Sequence, residues 1–241
     1  MERLDKLVAN RLCVSRRDAR AMIRQGAVLV NGAAVQTLDH KCAAGDRVTA
    51  NGAALDLEPL AYIMLNKPAG VVCATRDNLS ETVLELLPPQ LHRKGLFPAG
   101  RLDKDTEGFV LITNDGVLAH RMLAPANHVP KTYLVSLESP VDFAAAAADF
   151  ARGMDLGEGE RTSPAQLLEL KAGLLFALTI HEGMYHQVKR MFARHGARVA
   201  ALKRTRIGGL ELDASLRPGQ ARPLDAAEVA RILQQSNQSS C

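Results

Sequence analysis

The chain has 241 residues, of which 47% are hydrophobic and 23% charged, and its formal net charge is +4. This length allows one or two domains, and the composition is that of a folded protein, which excludes a largely disordered chain. No apolar run is long enough to span a bilayer, and the charged start MERLDKLVANRL has no apolar signal-peptide core. The four cysteines form no C-x-x-C pair, a spacing that fits neither a zinc site nor a disulfide framework. We therefore expect a cytoplasmic protein without a membrane segment or a bound metal.

Basic residues concentrate in two separate segments. Residues 1–57 hold 9 Lys and Arg against 6 Asp and Glu, and residues 189–206 hold seven basic residues and no acidic one. Two basic segments on one chain indicate a polyanion that is bound at two places. The ordinary alternative is a pair of solvated basic faces that bind nothing.

Residues 15–26 predict a short helix. Ser15 is a suitable N-cap, Asp18 lies three residues further on, and Gly26 is a typical stop signal. The apolar stripe of this helix consists of Ala19, Met22 and Ile23. Its exposed face carries four arginines, namely Arg16, Arg17, Arg20 and Arg24. Two strand-and-turn signals follow, AVLVNG and GDRVTANG, and a basic helix beside tight hairpins suits the backbone of structured RNA.

The pattern RLDKLVAN…VSRRDARAMIRQGAVLVNG…GDRVTANG resembles the S4 RNA-binding domain over residues 1–57. This resemblance implies RNA binding but does not say what is done to the RNA. Residues 55–62 are then a linker, residues 58–235 a second and larger domain, and residues 236–241 a polar tail.

The second domain mixes strand and helix signals without a regular βαβ period. YIMLNK predicts a strand that ends in a Lys67-Pro68-Ala69-Gly70 turn. Further strands are predicted at FVLIT, KTYLVSLES and LLFALTIHEG, and helices at DFAAAAADFARGM and YHQVKRMFARHG. This mixture indicates an α+β fold.

Four carboxylates lie in the stretch GRLDKDTEGFVLITNDG, residues 100–116: Asp103, Asp105, Glu107 and Asp115. A calcium loop starting at Asp103 is excluded, because its fifth and twelfth positions are Glu107 and Asn114. A glycosidase-type pair of Asp103 and Asp105 has little support, since neighbours in a loop need not face one bond. A single carboxylate nucleophile is compatible with the pattern, with Arg101 close enough to bind a phosphate or orient the loop.

Four motifs in order, LNKPAG, GRLDKDTEGFVLITNDG, KTYLV and EGMYHQVKRMF, resemble the pseudouridine synthases of the small-subunit ribosomal RNA (RsuA) type from residue 60 to about residue 232. The resemblance implies a catalytic domain built on a mixed, mainly antiparallel sheet with flanking helices. It also implies that a flipped-out uridine in RNA is isomerised without a cofactor or a metal. Asp103 matches the nucleophile, which attacks either the sugar or the base.

The same resemblance suggests roles for other residues. Tyr133 matches a tyrosine that stacks on the base, although a strand tyrosine is more often a core residue. Lys189 matches the cation that pairs with the aspartate, where many relatives have arginine, and Arg190 is the second choice for that cation. RNA contacts are predicted for Lys67, Arg101, Lys131 and Arg190. For Lys67 and Arg101 the alternatives are a role in orienting the loop and an ordinary solvated position. The remaining carboxylates of the loop, Asp105, Glu107 and Asp115, are predicted to be structural. Residues 114–116, NDG, are predicted to form a loop after the strand FVLIT.

The substrate is predicted from a short motif. Relatives that act on large-subunit RNA have N-R-Q-V-R-R where this chain has YHQVKR, which favours 16S rRNA in an assembling small subunit as the partner of a monomeric enzyme. The alternatives are a synthase that acts on large-subunit rRNA and a non-catalytic S4 assembly factor. An aminoacyl-tRNA synthetase is disfavoured, because neither a HIGH-like nor a KMSKS-like string occurs.

Overall fold

The computed structural model describes residues 2–12, 14–43, 45–55, 59–124, 129–157 and 159–234. The chain folds into two compact units, residues 1–61 with 114–120 and residues 62–113 with 121–241. The predicted domain boundary after residue 57 and the predicted tail at 236–241 lie outside the described residues, as do Cys13 and Cys241. No helix among the residues described is both long and apolar enough to cross a membrane.

The first unit combines two helices with short strands. The helices are α1 (Leu4–Leu12) and α2 (Arg16–Arg24). The strands are β1 (Glu2–Arg3), β2 (Val28–Val30), β3 (Ala33–Ala34), β4 (Lys41–Cys42), β5 (Val48–Ala50) and β6 (Ala53–Ala54). Strand β1 pairs with β4, and the others form a sheet of order β3-β2-β5-β6.

The predicted α2 helix is confirmed. The Ser15 side chain accepts a hydrogen bond from the backbone N–H of Asp18, and Ala19 and Ile23 are fully buried. The predicted Asn-Gly turns are present as well, because Asn31 and Asn51 have φ angles of 53° and 50°. Positive φ at both turn residues gives the twist that a two-residue hairpin needs.

The second unit is built on one nine-stranded sheet. Its strands are β7 (Tyr62–Lys67), β8 (Phe97–Ala99), β9 (Glu107–Thr113), β10 (Lys131–Leu137), β13 (Gln166–Lys171), β14 (Leu175–Ile180), β15 (Val199–Ile207), β16 (Leu210–Glu211) and β17 (Ala221–Pro223). A separate pair consists of β11 (Asp155–Gly157) and β12 (Glu160–Arg161). The sheet order is β13-β14-β10-β15-β9-β7-β17, with β8 on β9 and β16 on β15. Only β9 and β15 pair in parallel among these strands, so the expected α+β fold with a mixed, mainly antiparallel sheet is confirmed.

The remaining helices are α3 (Gly116–Leu123), α4 (Phe143–Arg152), α5 (Gln187–Ala193) and α6 (Ala226–Ile232), together with a 3-10 turn at Pro89–Leu91. Helices α4 and α5 pack on the β14 end of the sheet through three fully buried rings. The Phe192 ring of α5 lies 5.2 Å from that of Phe150 on α4 and 5.6 Å from that of Phe176 on β14. This aromatic packing fixes α5, which carries part of the site described below.

Two sequence predictions need correction. Residues 114–116 were expected to form a loop, but α3 begins at Gly116 and Asp115 caps it by accepting the N–H of Leu118 at 3.0 Å. A short polar side chain that bonds two or three residues onward starts a helix as readily as it forms a turn. The basic run from residue 199 onward, where no strand was predicted, is strand β15.

Candidate active site

Asp103 lies in the loop between β8 and β9. Lys67 holds this loop in place. Its Nζ donates to two carbonyl oxygens of the loop, those of Thr106 at 2.7 Å and Lys104 at 3.2 Å, and to that of Pro68 at 3.0 Å. A turn within the loop, from the N–H of Thr106 to the carbonyl of Asp103, adds a further bond at 3.1 Å. The LNKPAG and GRLD motifs are therefore joined by one ammonium group, and the backbone around Asp103 is fixed.

Lys67 was predicted to contact RNA, and this prediction is wrong. Its side chain is fully buried at the end of β7, and all three of its donors are directed at backbone carbonyls. Burial lowers the pKa of this ammonium, while nearby acidic groups act in the opposite direction. An ammonium with three buried acceptors has no donor left for a phosphate. Of the two roles considered for Lys67, orienting the loop is the one that fits the structure.

Lys131 was also predicted to contact RNA, and it too lies inside the protein. It is 7% exposed, and its Nζ donates to the carbonyl oxygens of Val129 at 3.0 Å and His181 at 3.3 Å. Burial, and then the charge of Arg204, lower the pKa of Lys131 to about 8. The alternation of β10 explains the error, since Lys131 and Tyr133 lie on the same buried face of that strand.

Asp103 faces a cleft of about 580 Å³ within the second unit. One wall is the loop around Asp103, with Arg101, which is exposed, and Thr106. The opposite wall consists of Tyr133 and the segment 183–189, which runs into α5. A cleft of this size is in the range of sites that bind a nucleotide-sized ligand.

Lys189 lies between two carboxylates. Its Nζ is 3.5 Å from Oδ2 of Asp103, and it donates to both oxygens of Asp105, at 2.6 and 2.8 Å. The hydrogen bond from Lys189 is also the main cause that lowers the pKa of Asp105. The structure thus brings the predicted cation to the predicted nucleophile, but the tighter contact of Lys189 is with Asp105, for which a structural role was predicted.

His186 is a neighbour of Asp103 that sequence reasoning missed. Its Nε2 lies 3.6 Å from Oδ2 of Asp103. Its backbone is left-handed, with φ 48° and ψ 32°, and its ring stacks on Tyr185 with centroids 3.9 Å apart. Non-glycine residues in this region are uncommon and are often found at functional sites. The only available signal was position, because His186 stands just before the QVKR motif.

Tyr133 is 7% exposed, and its hydroxyl lies 3.5 Å from Nη1 of Arg204 on the neighbouring strand β15. Arg204 is itself buried, and its Nε donates to the carbonyl of Phe109 at 2.7 Å. The close pairing of β9 with β15 requires glycine at position 108, because a Cβ there would lie 2.2 Å from the carbonyl oxygen of Arg204. Tyr133 is therefore both a core residue and a wall of the cleft.

Arg190 was the second choice for the cation and a predicted RNA contact, but its guanidinium group binds Glu160 and two backbone carbonyls instead of Asp103. Its Nη1 pairs with Glu160 at 2.6 Å and donates to the carbonyl of Tyr185 at 3.2 Å. Its Nη2 donates to the carbonyl of Leu156 at 3.3 Å. The choice of Lys189 over Arg190 agrees with this geometry, and the RNA contact of Arg190 does not.

The four arginines of α2 are not equivalent. Arg16, Arg17 and Arg24 are exposed. Arg20 is only half-exposed, and its Nε pairs with the fully buried Asp5 at 3.0 Å. Burial alone would favour the protonated acid, but hydrogen bonds from Arg3 and Arg20 hold the pKa of Asp5 below its ordinary value. Three of the four predicted contacts are thus available to RNA, whereas Arg20 stabilises the unit.

Three potential metal ligands come together in the first unit. Atoms of His40, Cys42 and Asp46 that could bind a metal lie within 4.8 Å of one another, a cluster that the cysteine spacing had not suggested. The side chain of Cys42 belongs to the apolar core, and the Asp46 carboxylate already accepts from Asn31 at 2.9 Å and from the N–H of Ala43 at 2.7 Å. Core packing accounts for the position of Cys42, and a turn accounts for that of Asp46.

Comparisons with known proteins identify the family of this chain. Residues 61–194 match the family profile of RNA pseudouridylate synthases, and residues 2–48 match that of the S4 domain. The chain belongs to the RNA pseudouridylate synthase family.

The relatives cover nearly the whole chain of this synthase. It is 47% identical to the ribosomal small subunit pseudouridine synthase A of Escherichia coli K12, over 96% of this chain and 100% of that protein. It is 44% identical to the protein named uncharacterized RNA pseudouridine synthase YtzG of Bacillus subtilis 168, over 94% and 96%. A crystal structure of a pseudouridylate synthase superimposes with a TM-score of 0.70 at 41% identity, covering 96% of this chain and 100% of that one. The predicted family, fold and enzyme class are therefore confirmed.

Proposed function

We propose that this pseudouridine synthase isomerises uridine 516 of 16S rRNA and that Asp103 is its nucleophile. The observation that carries the proposal is the position of Asp103, which is held by a fixed loop at the wall of a cleft and lies 3.5 Å from the ammonium of Lys189. The name of the E. coli relative supports small-subunit RNA as the substrate.

In the proposed reaction the target uridine leaves its stack and enters the cleft, because an atom inside a helix is out of reach of a side chain. The Asp103 carboxylate attacks the sugar or the base, and the bond between C1′ and N1 breaks. The detached uracil turns, C1′ bonds to C5, and the bond from Asp103 to the sugar or the base breaks, which releases the carboxylate. The hydrogen of C5 leaves as a proton, and N1 gains one. No atom is gained or lost overall, so the reaction is an isomerisation.

The neighbouring side chains then have defined tasks. Lys189 stabilises the charge of Asp103 before attack, and Asp105 holds Lys189 in place with two short hydrogen bonds. Tyr133 forms the inner wall on which the uracil stacks while it turns, and its hydroxyl is oriented by Arg204. Lys67 keeps the Asp103 loop from moving away during the reaction.

Basic side chains of α2 and at the edge of the cleft bind the backbone of the RNA in this proposal. Of the residues predicted to do so, those that are exposed in the structure are Arg16, Arg17, Arg24 and Arg101. We further propose that the enzyme works as a cytoplasmic monomer on rRNA within an assembling small subunit. No cofactor has a role in this mechanism, because a carboxylate, an ammonium and a phenol suffice for it.

Pseudouridine mapping of total rRNA tests the proposal. Cells that lack this protein should lose one 16S pseudouridine, and the wild-type gene should restore it. Asp103→Asn should not restore it, since the amide has nearly the same shape but is not a nucleophile. The purified variant should turn over roughly a thousand-fold more slowly and still bind the RNA fragment.

Two results would contradict the proposal. A missing pseudouridine in 23S rRNA instead of 16S rRNA would refute the substrate and leave the enzyme class untouched. Turnover by Asp103→Asn above a few per cent of the wild-type rate would refute the nucleophile.

A further inference from the structure

Tyr185 is an exposed aromatic residue at the wall of the cleft. The chain has no tryptophan, and among its tyrosines and phenylalanines, all of which the structure describes, only Tyr185 is exposed, at 75%. Leaving a large aromatic ring in water forgoes the stabilisation that its burial would give. A single exposed ring beside a site that handles nucleic acid therefore points to a ligand.

The ring of Tyr185 is backed by a second ring. It stacks on the imidazole of His186 with an interplanar angle of 18°, so one face is covered and the other is open. The left-handed backbone of His186 turns the chain so that this imidazole lies between Tyr185 and the Asp103 carboxylate. The two rings thus form a short stack that leads from the predicted nucleophile outward to solvent.

The segment that carries this stack is fastened at several points. The buried Gln187 accepts the N–H of Met184 at 3.1 Å and donates to Glu182. Arg190 donates to the carbonyl of Tyr185 while it is paired with Glu160. A platform that is ordered in advance loses little conformational entropy when a flat ligand stacks on it.

We propose that Tyr185, backed by His186, is a stacking site for the nucleobase next to the target uridine in the RNA chain. This inference rests on the proposed function. A uridine that flips into the cleft leaves its neighbour without a stacking partner, and proteins hold such bases on aromatic side chains. Stacking needs only the flat face that every base has, so the site would accept any base at that position.

The target uridine itself is a less suitable occupant. Tyr133 already supplies a ring inside the cleft, whereas the open face of Tyr185 is turned to solvent. The proposal therefore assigns Tyr133 to the reacting base and Tyr185 to its neighbour.

A binding experiment tests the site without requiring turnover. The probe is an oligoribonucleotide that carries 2-aminopurine one position before or after a uridine, in the 16S sequence and in an unrelated single strand. Wild type and Tyr185→Phe should quench the fluorescence at one of the two positions, because stacking quenches 2-aminopurine, and Tyr185→Ala should not. Leu170→Ala, which removes another exposed apolar side chain of the same unit, is the matched control and should behave as wild type.

Steady-state kinetics provides a second readout. Tyr185→Ala should raise KM about ten-fold and leave kcat nearly unchanged, and Tyr185→Phe should restore the wild-type KM. An abasic residue at the quenched position should raise KM by a similar factor for wild type and cause no further rise for Tyr185→Ala. Since Tyr185 is exposed, its variants should unfold at the wild-type temperature.

The outcomes separate the two proposals. If Tyr185→Ala quenches the probe as wild type does, or if the effects of the abasic residue and of Tyr185→Ala multiply, the stacking site is wrong. If quenching depends on Tyr185 but no uridine of the 16S fragment is converted to pseudouridine, the stacking site is supported and the proposed substrate is refuted.

Discussion

The two basic segments of the chain look alike in sequence but differ in the structure. On α2, Arg16, Arg17 and Arg24 extend into solvent. In residues 189–206, carboxylates neutralise most of the charge, through the pairs Lys189–Asp105, Arg190–Glu160, Arg198–Glu138 and Arg206–Glu211. Arg204 is buried as well. The first segment therefore presents unpaired charge to a partner, whereas most cations of the second segment are paired or buried and Lys189 lies in the wall of the cleft. Binding of a polyanion at both places stays a prediction.

Among the variants that test this difference between the two segments, we expect the largest loss of catalytic rate at Lys189, the residue of the second segment that lies beside Asp103. Lys189→Ala should lower kcat roughly 100-fold, the scale seen when one charge-stabilising donor is removed from an active site. Lys189→Arg should keep a substantial part of the rate, because the charge remains although the head group is wider. Single-turnover rates on a saturating RNA fragment measure both.

Arg206→Ala is the matched control for Lys189, because it removes a cation of the same segment that pairs with Glu211 outside the cleft. Its rate should equal that of wild type. An equal loss in both variants would show that the total charge of the segment, and not the position of Lys189, sets the rate.

A second prediction concerns the exposed arginines of α2. Replacing Arg16, Arg17 and Arg24 together by alanine should weaken RNA binding and make the salt dependence shallower. Each lost phosphate contact removes roughly one unit from the slope of log K against log salt concentration, so the slope should change by about two to three. Filter binding at several salt concentrations measures this slope.

The double variant Arg198→Ala and Arg206→Ala is the corresponding control in the second segment, since both arginines are paired with carboxylates. We expect its slope to be that of wild type. If this variant shifts the slope as much as the α2 variant does, the two segments contribute alike and the comparison fails.

A third, smaller effect is expected from Arg20, the one arginine of α2 that is tied to the interior. Arg20→Ala should lower the free energy of unfolding by about 1–2 kcal/mol at neutral pH, because among the residues that the structure describes the buried Asp5 carboxylate then keeps only Arg3 as an ionic partner. Asp5 has a lowered pKa in the folded state, so its contribution is present above the unfolded value near 3.9 and is lost as the pH falls through the folded pKa. The difference between variant and wild type should therefore shrink below about pH 4.

Urea unfolding at pH 7 and pH 3 measures this difference, and Arg24→Ala on the same helix should have little effect at either pH. A loss of stability for Arg20→Ala that is equal at both pH values would mean that Asp5 is not its cause.

The smallest effect is expected from removing metals. EDTA should leave turnover of a short unstructured RNA unchanged, because the proposed mechanism uses only protein side chains. Core packing holds Cys42, and a turn holds Asp46, without any need for an ion. Metal analysis of the purified protein and rates with and without EDTA check this. A stoichiometric metal whose loss stops turnover would overturn both the mechanism and the structural roles of Cys42 and Asp46.

Local signals predicted much of the fold. The Ser15 cap, the Asn31 and Asn51 turns and the strand FVLIT each depend on residues close together in sequence, and each is present in the structure. Strand β15 was missed because its basic residues hide its alternation, although Leu202 and Arg204 are buried. A buried arginine depends on distant acceptors such as the carbonyl of Phe109, and sequence spacing does not report them.

For the site, motifs identified residues but not their partners. Asp103, Tyr133 and Lys189 were predicted from a family resemblance, and they line one cleft in the structure. Asp105 and Lys189 are 84 positions apart in the sequence, so no local pattern could have indicated the ion pair between them. Lys67 and Lys131 were misassigned for the same physical reason, since a lysine in a strand looks exposed until its neighbours are known.

The parallel pairing of β9 with β15 has a consequence for the moment at which the enzyme becomes competent. Glu107 and Gly108 pair with Lys203 and Arg204. The strand that follows Asp103 therefore cannot complete its pairing until a segment about 100 residues further along the chain has been synthesised. At translation rates of about 5–20 residues per second, that delay lasts roughly 5–20 s. During this time all residues of the first unit, 1–61 and 114–120, are already synthesised, but the strand that orients Tyr133 is not. We therefore expect the first unit to be complete before the catalytic cleft as each molecule is made.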